Sequence, residues 1–426
     1  MRNVWKALGL ALVLAAWPGT SQAVIATIDN VPAATLLLPY FEVDPAATAT
    51  RGVDTLLSIT DVSATAVLVH VTVWTDAAVV VTGFNVYFTG FDTVALDLQS
   101  ILAGTLPATA SAGQDSHDTI SPKGPKSQDI NYASCTGQLP PAATDPAKVA
   151  KWVAALSGKP DPDNGRCSGF DHGDGILRGY VTIDTVNNCT VRNPGDPGYF
   201  GSGGSGDATL QNYLFGNWTL VDNTSKRYQS GSLVAIEASA TNPETSTAGQ
   251  YTFYGRYVNW TAADNREPLV TNFGTRYVTG GGTGRPNNTT LLVWRDTKVA
   301  QAAFACGSNP GWYPLAQEGI FFFDEQEAVQ SLSTTIQSFP LATQKVQVDS
   351  SALPANFATG WVYLDLNATV AAAGSNPSED PAALQGWVEV LRTDDDPPAY
   401  GAHGHLGFSY RPVLIDTAAS ASHAHP

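Results

Sequence analysis

Residues 65–74 read TAVLVHVTVW. Val67, Val69, Val71 and Val73 recur at period two and share one face of an extended chain; Leu68, His70, Thr72 and Trp74 share the other. β-branched residues at this density favour strand over helix. Just upstream, residues 55–60 (TLLSIT) read as a second strand, and Asp61-Val62-Ser63-Ala64 between them carries turn chemistry in its Asp and Ser. Together the two runs predict a β-hairpin. FNVYFTGFDTVALD (84–97) continues the pattern, and further strands are expected at 177–184, 217–222, 232–238, 251–259, 290–296, 319–323, 360–366, 386–391 and 404–415. One good helix is expected at 145–156, with Pro146 near its start and Val149, Trp152, Val153 and Leu156 at helical spacing. The predicted class is all-β: two sandwich-like, broadly Ig-like units, each made of two packed antiparallel sheets.

The chain reads as a diverged duplication. TLLSITD (55–61) matches TLLVWRD (290–296) at four of seven positions, and GYVTID (179–184) matches GWVYLD (360–365) at three of six. The order is preserved, and the first copy is longer by about the length of a loop-rich stretch at about 108–164, which contains the helix. The expected division is a signal peptide at 1–23, a first β-sandwich unit at 24–194 with the insertion at about 108–164, and a flexible glycine-rich segment with connecting strands at 195–285. A second sandwich unit follows at 286–416, then a disordered tail at 417–426. GDPGYFGSGGSG (195–206) is read as a linker on its composition, and TGGGTGRP (279–286) as a second boundary.

The first 23 residues have the layout of a secretory signal: Arg2 and Lys6, an apolar run from Ala7 to Trp17, and small residues at Ser21 and Ala23 before the expected cut. No later apolar run is long enough to span a bilayer, so no transmembrane segment is expected in the mature chain, and the protein is expected in the periplasm, on the cell surface or outside the cell. The formal net charge of −16 repels nucleic acid, so no nucleic-acid partner is expected. Only 14% of residues are charged, and Met occurs once. Cys135, Cys167, Cys189 and Cys306 read as two disulfides in an oxidising compartment. Cys135–Cys167, stapling the insertion, and Cys189–Cys306 are the expected pairs, with Cys167–Cys189 the main rival.

Asp161, Asp163, Asp171 and Asp174 form the densest set of oxygen ligands, a weak calcium candidate. The calcium-loop pattern fails there because the fifth position is Gly165 and the twelfth is His172. Calcium is the one cofactor the sequence suggests. His403 and His405 alternate as metal-binding histidines do, without an apparent third ligand. No catalytic residues are assigned: GSGGSG (201–206) is not a nucleophile elbow, and the zinc-protease helix motif, the P-loop and the dinucleotide fingerprint are missing. Ten Trp and fifteen Tyr could stack on sugar rings, but aromatic residues also fill sandwich cores.

The segments LLLPYFEVD (36–44), TLLSITDVS, VTVWTD (71–76), FNVYFTGFD and DNREPLVTNFGTRYV (264–278) together resemble a family of exported bacterial proteins with no assigned function. The resemblance implies a bacterial exported protein and carries over no site residues. The expected function is that of a non-enzymatic surface or secreted binding or structural protein, adhesin- or matrix-like, with a protein or glycan ligand. A carbohydrate-binding or carbohydrate-cleaving protein and an envelope assembly factor are the alternatives.

Overall fold

The computed structural model describes residues 31–107, 135, 138–139, 141–279, 287–297, 300–311, 313–315, 317, 319–332, 339–348, 353–366, 385–393, 405–406, 408–410 and 413–414. The expected signal peptide, the 417–426 tail and His403 lie outside these residues, as does the side chain of His405.

Twenty-one strands dominate the described residues. The first ten are β1 (Thr35–Val43), β2 (Val53–Asp61), β3 (Val67–Thr75), β4 (Val80–Phe88), β5 (Thr93–Asp97), β6 (Arg166–Cys167), β7 (Leu177–Val186), β8 (Leu214–Asp222), β9 (Arg227–Ser232) and β10 (Val234–Ile236). The others are β11 (Asn272–Val278), β12 (Asn287–Arg295), β13 (Phe304–Ala305), β14 (Gly319–Asp324), β15 (Val329–Leu332), β16 (Thr343–Gln347), β17 (Thr359–Asp365), β18 (Gly386–Thr393), β19 (His405–Leu406), β20 (Phe408–Tyr410) and β21 (Val413–Leu414). Helix α1 (Leu98–Leu102) follows β5, and α2 (Pro146–Leu156) is the helix expected from sequence. Asp145 caps α2 by accepting from the Ala147 amide, and Pro146 takes the first turn, where its missing N–H is no loss.

Four sheets form. Sheet I has the order β10-β1-β7-β3-β4 and sheet II the order β19-β9-β8-β2-β5. Sheet III has the order β15-β14-β17-β11-β21 and sheet IV the order β16-β12-β18-β20. Sheets I and II enclose one core, built on Leu36, Phe41, Leu57, Ile59, Val69, Val71, Val181 and Ile183. Sheets III and IV enclose another, built on Phe273, Leu291, Val293, Ile320, Val362, Leu364 and Val388. The fold is all-β and sandwich-like.

The strand orders repeat. Replacing β1, β2, β3, β4, β5, β7, β8, β9 and β10 by β11, β12, β14, β15, β16, β17, β18, β20 and β21 turns sheet I into sheet III, and sheet II without β19 into sheet IV. Chain order is kept throughout. GYVTID and GWVYLD coincide residue by residue: Gly179 lies opposite Phe41 and Thr75, and Gly360 opposite Tyr277 and Asp324. The TLL motifs lie on equivalent strands but are out of step by one residue. Leu57 and Ile59 face their own core, and so do Leu291 and Val293, whereas Leu292 and Trp294 face the other unit. A one-residue slip exchanges the faces, so the matching letters at 55–57 and 290–292 are not equivalent positions.

Several expectations are corrected. β2 and β3 do not form a hairpin: β2 pairs with β5 and β8, and β3 with β4 and β7. Every residue of β3 is buried, so it needs a central place in a sheet covered on both faces, whereas β2 keeps an open face at Leu56, which is 38% exposed. The short link therefore crosses between sheets. Residues 251–259 form no strand but a loop with a 3-10 turn at Gly255–Tyr257. The stretch 195–206 packs rather than links: Tyr199 is fully buried, and Gly203 donates to Asn265. The strands between 206 and 279 are integral to the sheets, β8–β10 to the first pair and β11 to the second.

The disulfides are Cys135–Cys189 and Cys167–Cys306, not the expected Cys135–Cys167 and Cys189–Cys306 and not the rival Cys167–Cys189. Cys135–Cys189 ties the insertion to the end of β7. Cys167–Cys306 joins the two units, next to a two-stranded ribbon in which β6 pairs with β13. Spacing favoured local loops; the ribbon instead carries Cys167 to the far unit. Among the described residues, no helix is long and apolar enough to cross a membrane.

Candidate functional site

The two sandwiches meet where the outer face of sheet I packs on the outer face of sheet IV. Leu37, Trp74 and Tyr180 from sheet I join Trp294 and Trp387 from sheet IV in one apolar cluster, with Phe253 and Tyr313 from loops. Most of the tyrosines and tryptophans weighed as sugar-stacking residues are core: Trp218, Tyr251, Tyr254 and Trp260 are buried, while Tyr228 is 40% exposed. A buried polar cluster braces the same region. Asp184 accepts from Thr35, from Tyr199 (2.8 Å) and from Tyr254 (3.0 Å), and Arg266 lies 3.4 Å from it.

Beside this junction the surface opens into a cleft of about 540 Å³. Glu42 and Asp44 reach it from the end of β1, and Arg51 and Gly52 from the turn into β2. Asp222, Arg227 and Gln229 come from β8 and β9, and Thr290 and Lys345 from β12 and β16 of the second unit. Glu42 and Lys345 also line a smaller hollow of about 290 Å³ with Tyr40, His172, Asp174 and Arg178. The two hollows share this pair.

Glu42 is the hub. It accepts from the Tyr40 hydroxyl at 2.7 Å and from Lys345 Nζ at 2.5 Å, with Arg178 at 3.6 Å. Lys345 lies in the second unit, so this ion pair crosses the junction. Arg178 forms a two-pronged bond to Asp174 at 2.8 and 2.6 Å, and that bond holds the Asp174 carboxyl down at about 2. Burial, with Glu42 beside it, pushes the Tyr40 hydroxyl well above its ordinary value, so it stays a neutral donor.

His172 lies 2.8 Å from the buried Asp76 carboxylate, which also accepts from the Phe170 amide. Burial pushes Asp76 up, and the His172 bond opposes that shift. A carboxylate-held imidazole is a general-base arrangement. Two hydroxyl residues line that hollow, and neither is poised as a nucleophile: Thr343 donates to the Pro39 carbonyl and Tyr40 to Glu42. Thr75 donates to the Ser168 carbonyl, and together these contacts pin the loop at 168–172.

The calcium candidates do not converge. Asp161 accepts from the amides of Asp163 and Asn164, Asp163 pairs with Lys151, Asp171 with Lys159 at 2.6 Å, and Asp174 with Arg178. Among the described residues no three His, Cys, Asp or Glu side chains are grouped to hold a metal. Three of the four acids answer a nearby cation and Asp161 caps its own turn, so the density of Asp in the sequence reflects charged turns. Only Asp174 lies in the cleft region.

Sequence reasoning missed Glu42, Arg178 and Lys345. Glu42 did leave a signal: it is an acid in a strand whose nine residues are all buried. A buried carboxylate needs a partner, and Lys345 is that partner.

Comparison with protein-family models, curated proteins and solved structures finds no match to this chain.

Proposed function

We propose that this chain is an exported, non-enzymatic binding protein of the cell surface or secreted space that holds its ligand in the cleft between the two sandwiches. The observation that carries this reading is the cleft itself, walled by both units and lined by alternating acids and bases. Clefts where domains meet are common ligand sites. Its charged groups answer one another, as Glu42 does Lys345, which suits recognition of a partner carrying both signs. The ligand class that fits is a polypeptide segment with neighbouring opposite charges. Export is supported by the signal-like first 23 residues and by two disulfides, which persist in oxidising compartments.

Peptide and glycan arrays probed with the mature protein test this. Arg51 is exposed at the cleft rim, so Arg51→Glu leaves the buried pairs intact. The expected result is selective capture of peptides with adjacent opposite charges, weakened tenfold or more by Arg51→Glu, about 1.4 kcal/mol. Selective glycan capture indifferent to Arg51→Glu would overturn the proposal in favour of a carbohydrate-binding protein.

A further inference from the structure

Among the described residues, one face of the duplicated fold is less covered than its counterpart. On the outer face of sheet I, Trp74 and Tyr180 are cross-strand neighbours with parallel rings 5.5 Å apart. The equivalent residues on sheet III are Phe323 and Trp361, again cross-strand neighbours with parallel rings, 3.8 Å apart. Two positions along, Phe321 and Tyr363 form a second cross-strand pair at 6.1 Å. The first pair is sealed: Trp74 and Tyr180 are each 1% exposed, and Trp294 of the other sandwich meets Tyr180 edge to face at 5.9 Å. The second set stays half-buried on the surface, beside Val329, which is 58% exposed and lies opposite Phe323.

The ring geometry indicates what could cover it. Parallel rings only 3.8 Å apart must stack face to face, so they turn edges outward rather than a flat platform. A sugar ring needs an exposed aromatic face. Protruding edges instead suit edge-to-face contact with other aromatic side chains, which is how Trp294 meets Tyr180. The molecule thus already shows a sandwich sheet covering such a pair.

A head-to-tail arrangement would repeat that contact by placing sheet II of another copy on sheet III. The outer face of sheet II exposes Leu56 and Tyr228 but lacks the apolar contact residues of sheet IV. At the positions equivalent to Leu292, Trp294 and Leu391 it carries Ser58, Thr60 and Thr219. Sheet III itself offers aromatic edges, an exposed valine and, at the rim, Arg276 paired with Glu325 at 2.5 Å. Those two charges are complementary to the same two charges turned through a two-fold axis.

We propose that the outer face of sheet III is a homodimer interface, in which two copies of this chain meet face to face about a two-fold axis. Its five strands, of 4, 6, 7, 7 and 2 residues at about 3.4 Å per residue and about 4.8 Å apart, offer roughly 400 Å² a side. The total of about 800 Å² is below the usual size of a stable specific interface, so the dimer is a weak, transient one.

Sedimentation equilibrium of the mature protein, from about 1 to 100 μM, tests this. The expected result is a monomer–dimer equilibrium, weakened tenfold or more by Val329→Arg and by Arg276→Glu. The exchange Arg276→Glu with Glu325→Arg should restore it, a rescue that a merely structural role would not give. Circular dichroism checks that each variant is folded, and Val329 is exposed enough to be replaced without disturbing the core. A monomer throughout the range, open-ended growth, or a dimer indifferent to both single variants would overturn the proposal. The cleft lies elsewhere, so these outcomes leave the peptide-binding test unaffected.

Discussion

Gly179 and Gly360 show how a single residue records the duplication. A Cβ on Gly179 would lie 1.9 Å from the Trp74 carbonyl oxygen, and one on Gly360 1.8 Å from that of Phe323. Each carbonyl belongs to the aromatic residue of the stacked pair, so the same close approach is built twice. Gly179→Ala and Gly360→Ala should each destabilise their own sandwich by about 1–3 kcal/mol or more, as forced overpacking does, read by urea denaturation. GYVTID and GWVYLD were legible as a repeat because this constraint fixes the glycine and its aromatic neighbour. Lys345 was not legible as the partner of Glu42, because 303 residues separate them and no local pattern announces a contact across units. Glu267 carries a second residue-scale prediction. Burial, with Glu237 and Glu244 nearby, pushes its carboxyl from 4.5 to about 7. The folded state therefore holds a proton that the unfolded state has released, and stability falls as pH rises from about 4.5 through 7. Glu267→Gln should raise stability at pH 8 by on the order of 3 kcal/mol and change little at pH 4. An equal effect at both pH values would contradict this.

At the scale of elements, periodicity identified strands and missed their partners. The alternation of residues 67–74 is seen as read, with Val67, Val69, Val71 and Val73 in the core. The hairpin failed because a turn signal shows that the chain bends, not whether it stays in one sheet. The cysteines failed for a related reason: loop entropy ranks pairings by span, but the ribbon of β6 and β13 decides which sulfurs meet. Non-reducing peptide mapping should return Cys135 with Cys189 and Cys167 with Cys306. In the loop-closure model, a bond spanning 139 residues stabilises by about 5 kcal/mol and one spanning 54 by about 4. Cys167→Ser with Cys306→Ser should therefore lower the melting temperature at least as much as removing Cys135–Cys189. A peptide linking Cys135 to Cys167 would contradict the fold around the insertion.

At the scale of the molecule, four sheets stack in the order II, I, IV, III, with a core inside each sandwich and an apolar seam between them. The sequence showed two similar halves but not how they join. The seam depends on which faces are apolar, and Trp294 gave no sign that it faces the other unit rather than its own. That joining makes the cleft, because Glu42 and Lys345 belong to different sandwiches. Hydrogen-exchange mass spectrometry of the protein, with and without the best peptide from the array, tests this account most directly. Slowed exchange at 42–54, 222–229 and 343–347 together is the predicted result, because one ligand would touch both walls. Protection confined to one sandwich, or lying away from these segments, would contradict it.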